Sequence, residues 1–83
     1  MYRIIIEQKT SKEIEALPDN VIQSVYDAIK ALRVNPRPYN VKKLISRDGW
    51  RIKIGNYRVL YTIDDKAKLV TVYRVKHRKD AYR

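Results

Sequence analysis

The 83-residue chain carries 19 Lys and Arg against 9 Asp and Glu, a formal net charge of +10, and its pI of about 10.0 points to polyanionic partners. A chain this short buries only about 60 to 65% of its unfolded surface, which excludes a second core and makes residues 1–83 one domain. The absence of cysteine excludes disulfide staples and Cys-based zinc sites. The apolar run at the start is far too short for a signal peptide or a membrane span, so the chain reads as cytoplasmic with no membrane partner.

Residues 2–7 are a β-branched run and predict a first strand. Thr10, with Glu13 three residues later, has the spacing of a capping box and predicts a short helix that turns Ile14 and Leu17 inward. Pro18 ends it. A second helix is expected from about Asp19, where Val21, Ile22, Val25, Ile29 and Leu32 recur at helical spacing, and Asn35-Pro36 stops it. Residues 41–45 read as an extended segment of open type. Strands are then expected over 50–54, 57–63 and 69–76, with Asp64-Asp65-Lys66-Ala67-Lys68 as the last turn. The order of strand, two helices and a three-strand antiparallel meander predicts an α+β fold with the helices packed on one face of the sheet. Its other face is expected to be open and basic.

The run from Trp50 to Tyr61 is the strongest local signal. Two alternating segments meet at Gly55-Asn56, a pair suited to the positive φ of a tight hairpin turn. Such a turn sets Ile54 opposite Tyr57, Ile52 opposite Val59 and Trp50 opposite Tyr61, an apolar face. On the reverse face Lys53 meets Arg58, with Arg51 beside them. Polar outer faces are common in antiparallel sheets, but a face made for solubility mixes both signs, and this one interleaves no carboxylate. Like charges directly opposite each other destabilise a sheet, so their placement points to an anion, with phosphate the first candidate. Two registers remain open for the second hairpin. If Ile63 lies opposite Leu69, Arg58 faces Arg74 and the cationic row grows; a slip of one residue puts Tyr73 there instead.

The tail His77-Arg78-Lys79-Asp80-Ala81-Tyr82-Arg83 is either a frayed basic end or a binding element, in which Arg pairs bidentately with phosphate and Tyr stacks on a base. A single His excludes a two-histidine ribonuclease mechanism and leaves His77 as one participant or a solvent-facing side chain. The carboxylates are scattered, and Asp64-Asp65 sits where a turn uses Asp for local backbone bonds, so no metal site and no cofactor is expected. With only Gly49 and Gly55 there is no glycine-rich phosphate loop. Ser11, Ser24 or Ser46 with His77 has no triad motif around it.

The segment from Trp50 to Tyr61 and the strand ending Arg74-Val75-Lys76-His77-Arg78-Lys79-Asp80-Ala81-Tyr82 resemble the RelE family of toxin–antitoxin ribonucleases, within the wider RelE/ParE superfamily. Leu17-Pro18, Leu32, Asn35-Pro36 and Lys43-Leu44 also match its pattern. The resemblance implies a toxin that enters the ribosomal A site, contacts 16S rRNA and cuts mRNA there by 2′-hydroxyl attack. It also implies a cognate acidic, RelB-like antitoxin that folds on binding. By the same resemblance Lys53, Arg58, Arg78 and Tyr82 are catalytic, and Arg51, Arg74, Lys76 and His77 hold RNA. Arg51 and Lys53 match the paired basic positions before the turn, Arg58 the arginine after it that stabilises phosphate charge, and Arg78 the arginine near the leaving 5′-oxygen. Physically such chemistry needs an oriented 2′-hydroxyl, a stabilised phosphorane and two proton transfers. Neighbouring cations disfavour a further charge, which makes Lys53 the candidate base. The alternatives are a ParE-type gyrase inhibitor, for which no ordered Arg/Lys/Tyr site is needed, and a non-catalytic basic nucleic-acid-binding module.

Overall fold

Strand β1 (Arg3–Ile6) is followed by helices α1 (Gln8–Glu15) and α2 (Asp19–Ala31), then by β2 (Lys42–Lys43), β3 (Trp50–Ile54), β4 (Tyr57–Asp64) and β5 (Leu69–His77). The computed structural model describes residues 1–45 and 47–82; the candidate Ser46 and the tail residue Arg83 lie outside them. The five strands form one mixed sheet in the order β1-β5-β4-β3-β2. The meander expected from sequence is its antiparallel centre. To this β1 adds a parallel pairing with β5, Arg3 aligned with Leu69 and Ile6 with Val72, and the segment of open type supplies the two-residue edge strand β2.

Both helices bury one stripe against one face of the sheet. Ile14 of α1, Val25 and Ile29 of α2 and Leu32 just beyond it pack with Ile52, Val59, Tyr61, Val70, Val72 and Val75. Full burial of one such aliphatic side chain is worth about 1.5–3 kcal/mol, so this layer carries most of the stability. Pro18 opens α2, its carbonyl accepting from the amides of Val21 and Ile22, as expected for a residue with no donor of its own. Thr10 and Glu13 do not form the expected capping box. Helix α1 begins one turn earlier, with Glu7 at its N-cap, and Thr10 is fully buried in its first turn. Glu13 turns away from the helix start, and its Oε1 accepts from the Val75 amide of β5 at 3.0 Å.

The first hairpin has the expected register throughout, from Ile54 opposite Tyr57 to Trp50 opposite Tyr61, and Gly55 supplies the positive φ of 56°. The second hairpin takes neither of the two registers. Asp64 pairs with Leu69 and Ile63 with Val70, and a bulge between Leu60 and Tyr61 then shifts the ladder, so that Leu60 faces Arg74 and Arg58 faces Lys76. Tyr73 is the extra residue. A bulge sets two neighbours on one side of a strand, which lets Val72 and Val75 both reach the core while Arg74 and Lys76 share the opposite face.

The turn after β4 uses its two aspartates differently. Asp64 Oδ1 accepts from the Ala67 amide at 3.0 Å, the local bond expected there. Asp65 instead receives a two-pronged contact from Arg37, at 3.0 and 2.8 Å, and the Tyr2 hydroxyl at 2.6 Å, tying the loop after α2 to the far end of the sheet. The Arg37 guanidinium, together with the Tyr2 hydroxyl, lowers the Asp65 carboxyl to about 2 from an ordinary 3.8. With the folded value below the unfolded one, the stabilisation is present above about pH 4 and disappears as pH falls toward 2. Thermal unfolding followed from pH 7 down to 2 should therefore show an acid limb that is shallower in Asp65→Asn; identical limbs would show that this contact contributes nothing.

Candidate nucleic-acid interface

Two rows of cations cross the sheet on the face turned away from the helices. In the first, Lys42 of β2 lies opposite Arg51 of β3, Arg51 opposite Leu60 of β4 and Leu60 opposite Arg74 of β5. In the second, Lys53, Arg58 and Lys76 stand opposite one another on β3, β4 and β5. Side chains directly opposite on neighbouring strands have Cβ atoms about 4.5–5.5 Å apart. The registers therefore bring Arg51, Lys53, Arg58, Arg74 and Lys76 together on one surface.

This face is not wholly open, contrary to expectation. Its apolar centre, Leu60, is fully buried, and the chain after β5 folds back over it. The Arg78 amide donates to the Asn56 carbonyl at 2.8 Å, and the Asp80 and Ala81 amides both donate to the His77 carbonyl. Arg74 Nη1 donates to the Ala81 carbonyl at 3.2 Å, and Ala81 is fully buried. The tail is thus an ordered turn and not a frayed end. Arg58 is only 9% exposed, and its Nη1 donates to the carbonyls of Gly55 and Tyr57 at 3.1 and 2.9 Å. These carbonyls offset part of the cost of seating a guanidinium between Lys53 and Lys76.

Beside the tail, at the β2 edge, a cleft of about 510 Å³ is lined by Lys42, Lys43, Leu44, Ile45, Arg47, Arg51 and Tyr82. Tyr82 is 44% exposed, and its carbonyl accepts from Arg47 Nη2 at 3.4 Å. One lining residue is held by Gly49, whose carbonyl accepts the Leu44 amide at 3.0 Å. Gly49 has φ +127°, and a Cβ there would lie 2.9 Å from the Tyr61 carbonyl oxygen. An aromatic ring beside four cations can stack a base while the cations hold phosphate.

The expected site residues are not all gathered. Arg51 and Tyr82 share the cleft, Lys53, Arg58 and Lys76 form the second row, and Arg78 opens the tail turn. His77 stands apart: it pairs with Tyr57, whose strand neighbour Val59 lies in the core, so its position belongs to the helix side. Its ring meets Tyr57 edge-on at 5.5 Å, and Nδ1 accepts from the Lys79 amide at 3.2 Å. Lys42, Lys43 and Arg47 were missed as cleft residues. The available signal was three cations flanking Leu44-Ile45 immediately before the basic hairpin. Among the described residues, no group of three or more His, Cys, Asp or Glu side chains converges, and no helix is long and apolar enough to cross a membrane.

A family model described as the ParE toxin of type II toxin–antitoxin systems matches residues 3–82. The chain belongs to that family. Within it, the toxin is similar to RelE members. It is 24% identical to the RelE1 toxin of Methanocaldococcus jannaschii, covering 99% of this chain and 96% of that protein. It is 28% identical to toxin RelG of Mycobacterium tuberculosis, over 99% of this chain and 97% of that one. Among solved structures, the archaeal RelE–RelB complex of Pyrococcus horikoshii superposes with a TM-score of 0.83 at 28% identity, covering 96% of this chain and 98% of that one. The RelBE2 toxin–antitoxin complex of Mycobacterium tuberculosis gives 0.79 at 28%, with 95% and 93% covered. The RelE fold expected from the basic hairpin and tail is therefore the fold of this toxin.

Proposed function

We propose that this toxin is a ribosome-dependent mRNA endoribonuclease. The observation that carries the reading is the two cross-strand rows of cations, bordered by a cleft that joins Arg51 to Tyr82. In this reading Arg51, Arg74, Lys76 and the cleft cations hold the phosphate backbone of mRNA in the A site and contact 16S rRNA. Lys53 accepts the proton of the 2′-hydroxyl as its oxygen attacks the adjacent phosphorus. Arg58 stabilises the negative charge of the phosphorane. The bond to the 5′-oxygen then breaks with Arg78 beside it, and that oxygen takes a proton from Tyr82 or, where the ring only stacks on the base, from water, leaving a 2′,3′-cyclic phosphate or its hydrolysed form and a 5′-hydroxyl. His77 contributes at most to RNA contact, since its position is on the other side of the sheet.

The same reading supplies a partner. The similar structures from Pyrococcus horikoshii and Mycobacterium tuberculosis are toxin–antitoxin complexes, and a surface this basic favours an acidic, RelB-like antitoxin that orders on binding. The match to a ParE-toxin model keeps a second reading, the gyrase inhibition implied by the superfamily resemblance, which needs no ordered cationic set with a tyrosine beside it. Cell-free translation with mapping of mRNA 5′ ends, run beside a gyrase supercoiling assay, separates the two. We expect new 5′-hydroxyl ends only on translated messages and unaffected supercoiling. Intact messages with supercoiling inhibited would replace the ribonuclease reading with the gyrase one.

A further inference from the structure

Glu13 brings a negative charge into the positive site from outside the sheet. β1 ends opposite Val72, so the last part of β5 has no strand neighbour on that side. Helix α1 runs along it instead. The Glu13 carboxylate bridges the gap with both oxygens: Oε1 accepts from the Val75 amide at 3.0 Å, and Oε2 lies 3.5 Å from Lys76 Nζ. Its side chain is 17% exposed and that of Lys76 45%. Val75 stands between Arg74 and Lys76, one in each cationic row, and the strand leads directly into Arg78 and the tail turn. One carboxylate therefore fastens the backbone from which three candidate site residues project and offsets the charge of one of them.

We infer that Glu13 is a positioning residue for the RNA site, with two separable effects: its hydrogen bond fixes the end of β5, and its charge restrains Lys76. The inference rests on the ribonuclease reading above. Glu13→Gln keeps an oxygen that can accept from the Val75 amide but loses the charge, whereas Glu13→Ala loses both. Both variants lift the Glu13 charge from Lys76 and turn its partly neutralised phosphate contact into a full one, so the affinity for a single-stranded RNA oligonucleotide should fall more steeply with salt, the logarithmic slope growing by up to about 0.7. Turnover should separate them. Glu13→Gln should cleave translated mRNA at close to the wild-type rate, while Glu13→Ala should be slower by roughly tenfold or more, because small displacements of positioned groups cost up to about a hundredfold.

The test measures salt slopes of oligonucleotide binding and cleavage in cell-free translation for wild type and both variants, with circular dichroism as the check on folding. A residue that merely stabilised the fold would leave the slope unmoved in a folded variant. Should Glu13→Ala fail to fold, the slope of Glu13→Gln alone decides the matter. Wild-type slopes in the folded variants, or equal turnover in Gln and Ala, would overturn the inference while wild-type binding and cleavage left the ribonuclease reading standing. A wild-type protein that neither binds nor cleaves RNA would overturn both.

Discussion

Replacing Arg58 by Ala should reduce mRNA cleavage by about 100- to 1,000-fold, the loss of roughly 2.7–4 kcal/mol that accompanies removal of one preorganised donor to a developing oxyanion. The argument lies in how the side chain is held. Arg58 is nearly buried, and both of its carbonyl contacts come from Nη1. The guanidinium is thereby oriented before any substrate arrives, and in so dry a setting its field is screened little by water. Lys53 and Lys76, directly across from it, raise the positive potential further. Arg58→Met is the control for packing, since it fills the space of the stem without donors, and it should fall as far as Ala. Arg58→Lys keeps the charge and should recover part of the rate. Cleavage within a fewfold of wild type by folded Arg58→Ala would remove Arg58 from the chemistry and reduce it to a clasp for the hairpin turn.

Tyr82 should give the second large effect, and the size of the ring's contribution can be split from that of its hydroxyl. The ring lines the cleft beside Arg51, on a segment fixed by backbone bonds to His77 and by Arg74. A base stacked on an aromatic side chain gains about 1–3 kcal/mol. Tyr82→Ala should therefore lower cleavage by roughly 5- to 150-fold. Tyr82→Phe should retain most activity if the ring stacks, and should fall as Ala does if the hydroxyl transfers the proton. Full activity in both variants would leave the tail as a cover for Leu60 with no part in RNA contact.

How much of this was legible depended on whether the determining contact was local. Gly55-Asn56 and the alternation on either side set the β3–β4 register, because the turn itself aligns the strands. The four-residue turn before β5 aligns nothing so strictly, and the bulge that gives Tyr73 no cross-strand partner has no local marker. β2 is two residues long, too short for any period to show. Thr10 and Glu13 had the right spacing for a cap, but α1 starts earlier and the carboxylate is more useful to an unpaired strand edge 62 residues away. The cationic character of Arg51, Lys53 and Arg58 was readable from their alternation. Lys42 joined the site through its pairing with Arg51, Lys43 and Arg47 only where the cleft at the β2 edge gathers them, and the bulge governs which of the later residues share the face of Lys42.

The parallel pairing of β1 with β5 has a bearing on when such a molecule can first be harmful. The earliest strand has no ladder partner until the last one exists, and every core residue of β5 is missing before then. Non-local pairings of this kind must meet the entropy of closing a long loop before any contact rewards them. During synthesis, at about 5–20 residues per second, the nascent chain is consequently an unassembled polycation, and the basic surface of the sheet arises late and all at once. A ribosome making this toxin thus completes all five strands before the two cationic rows exist as one surface.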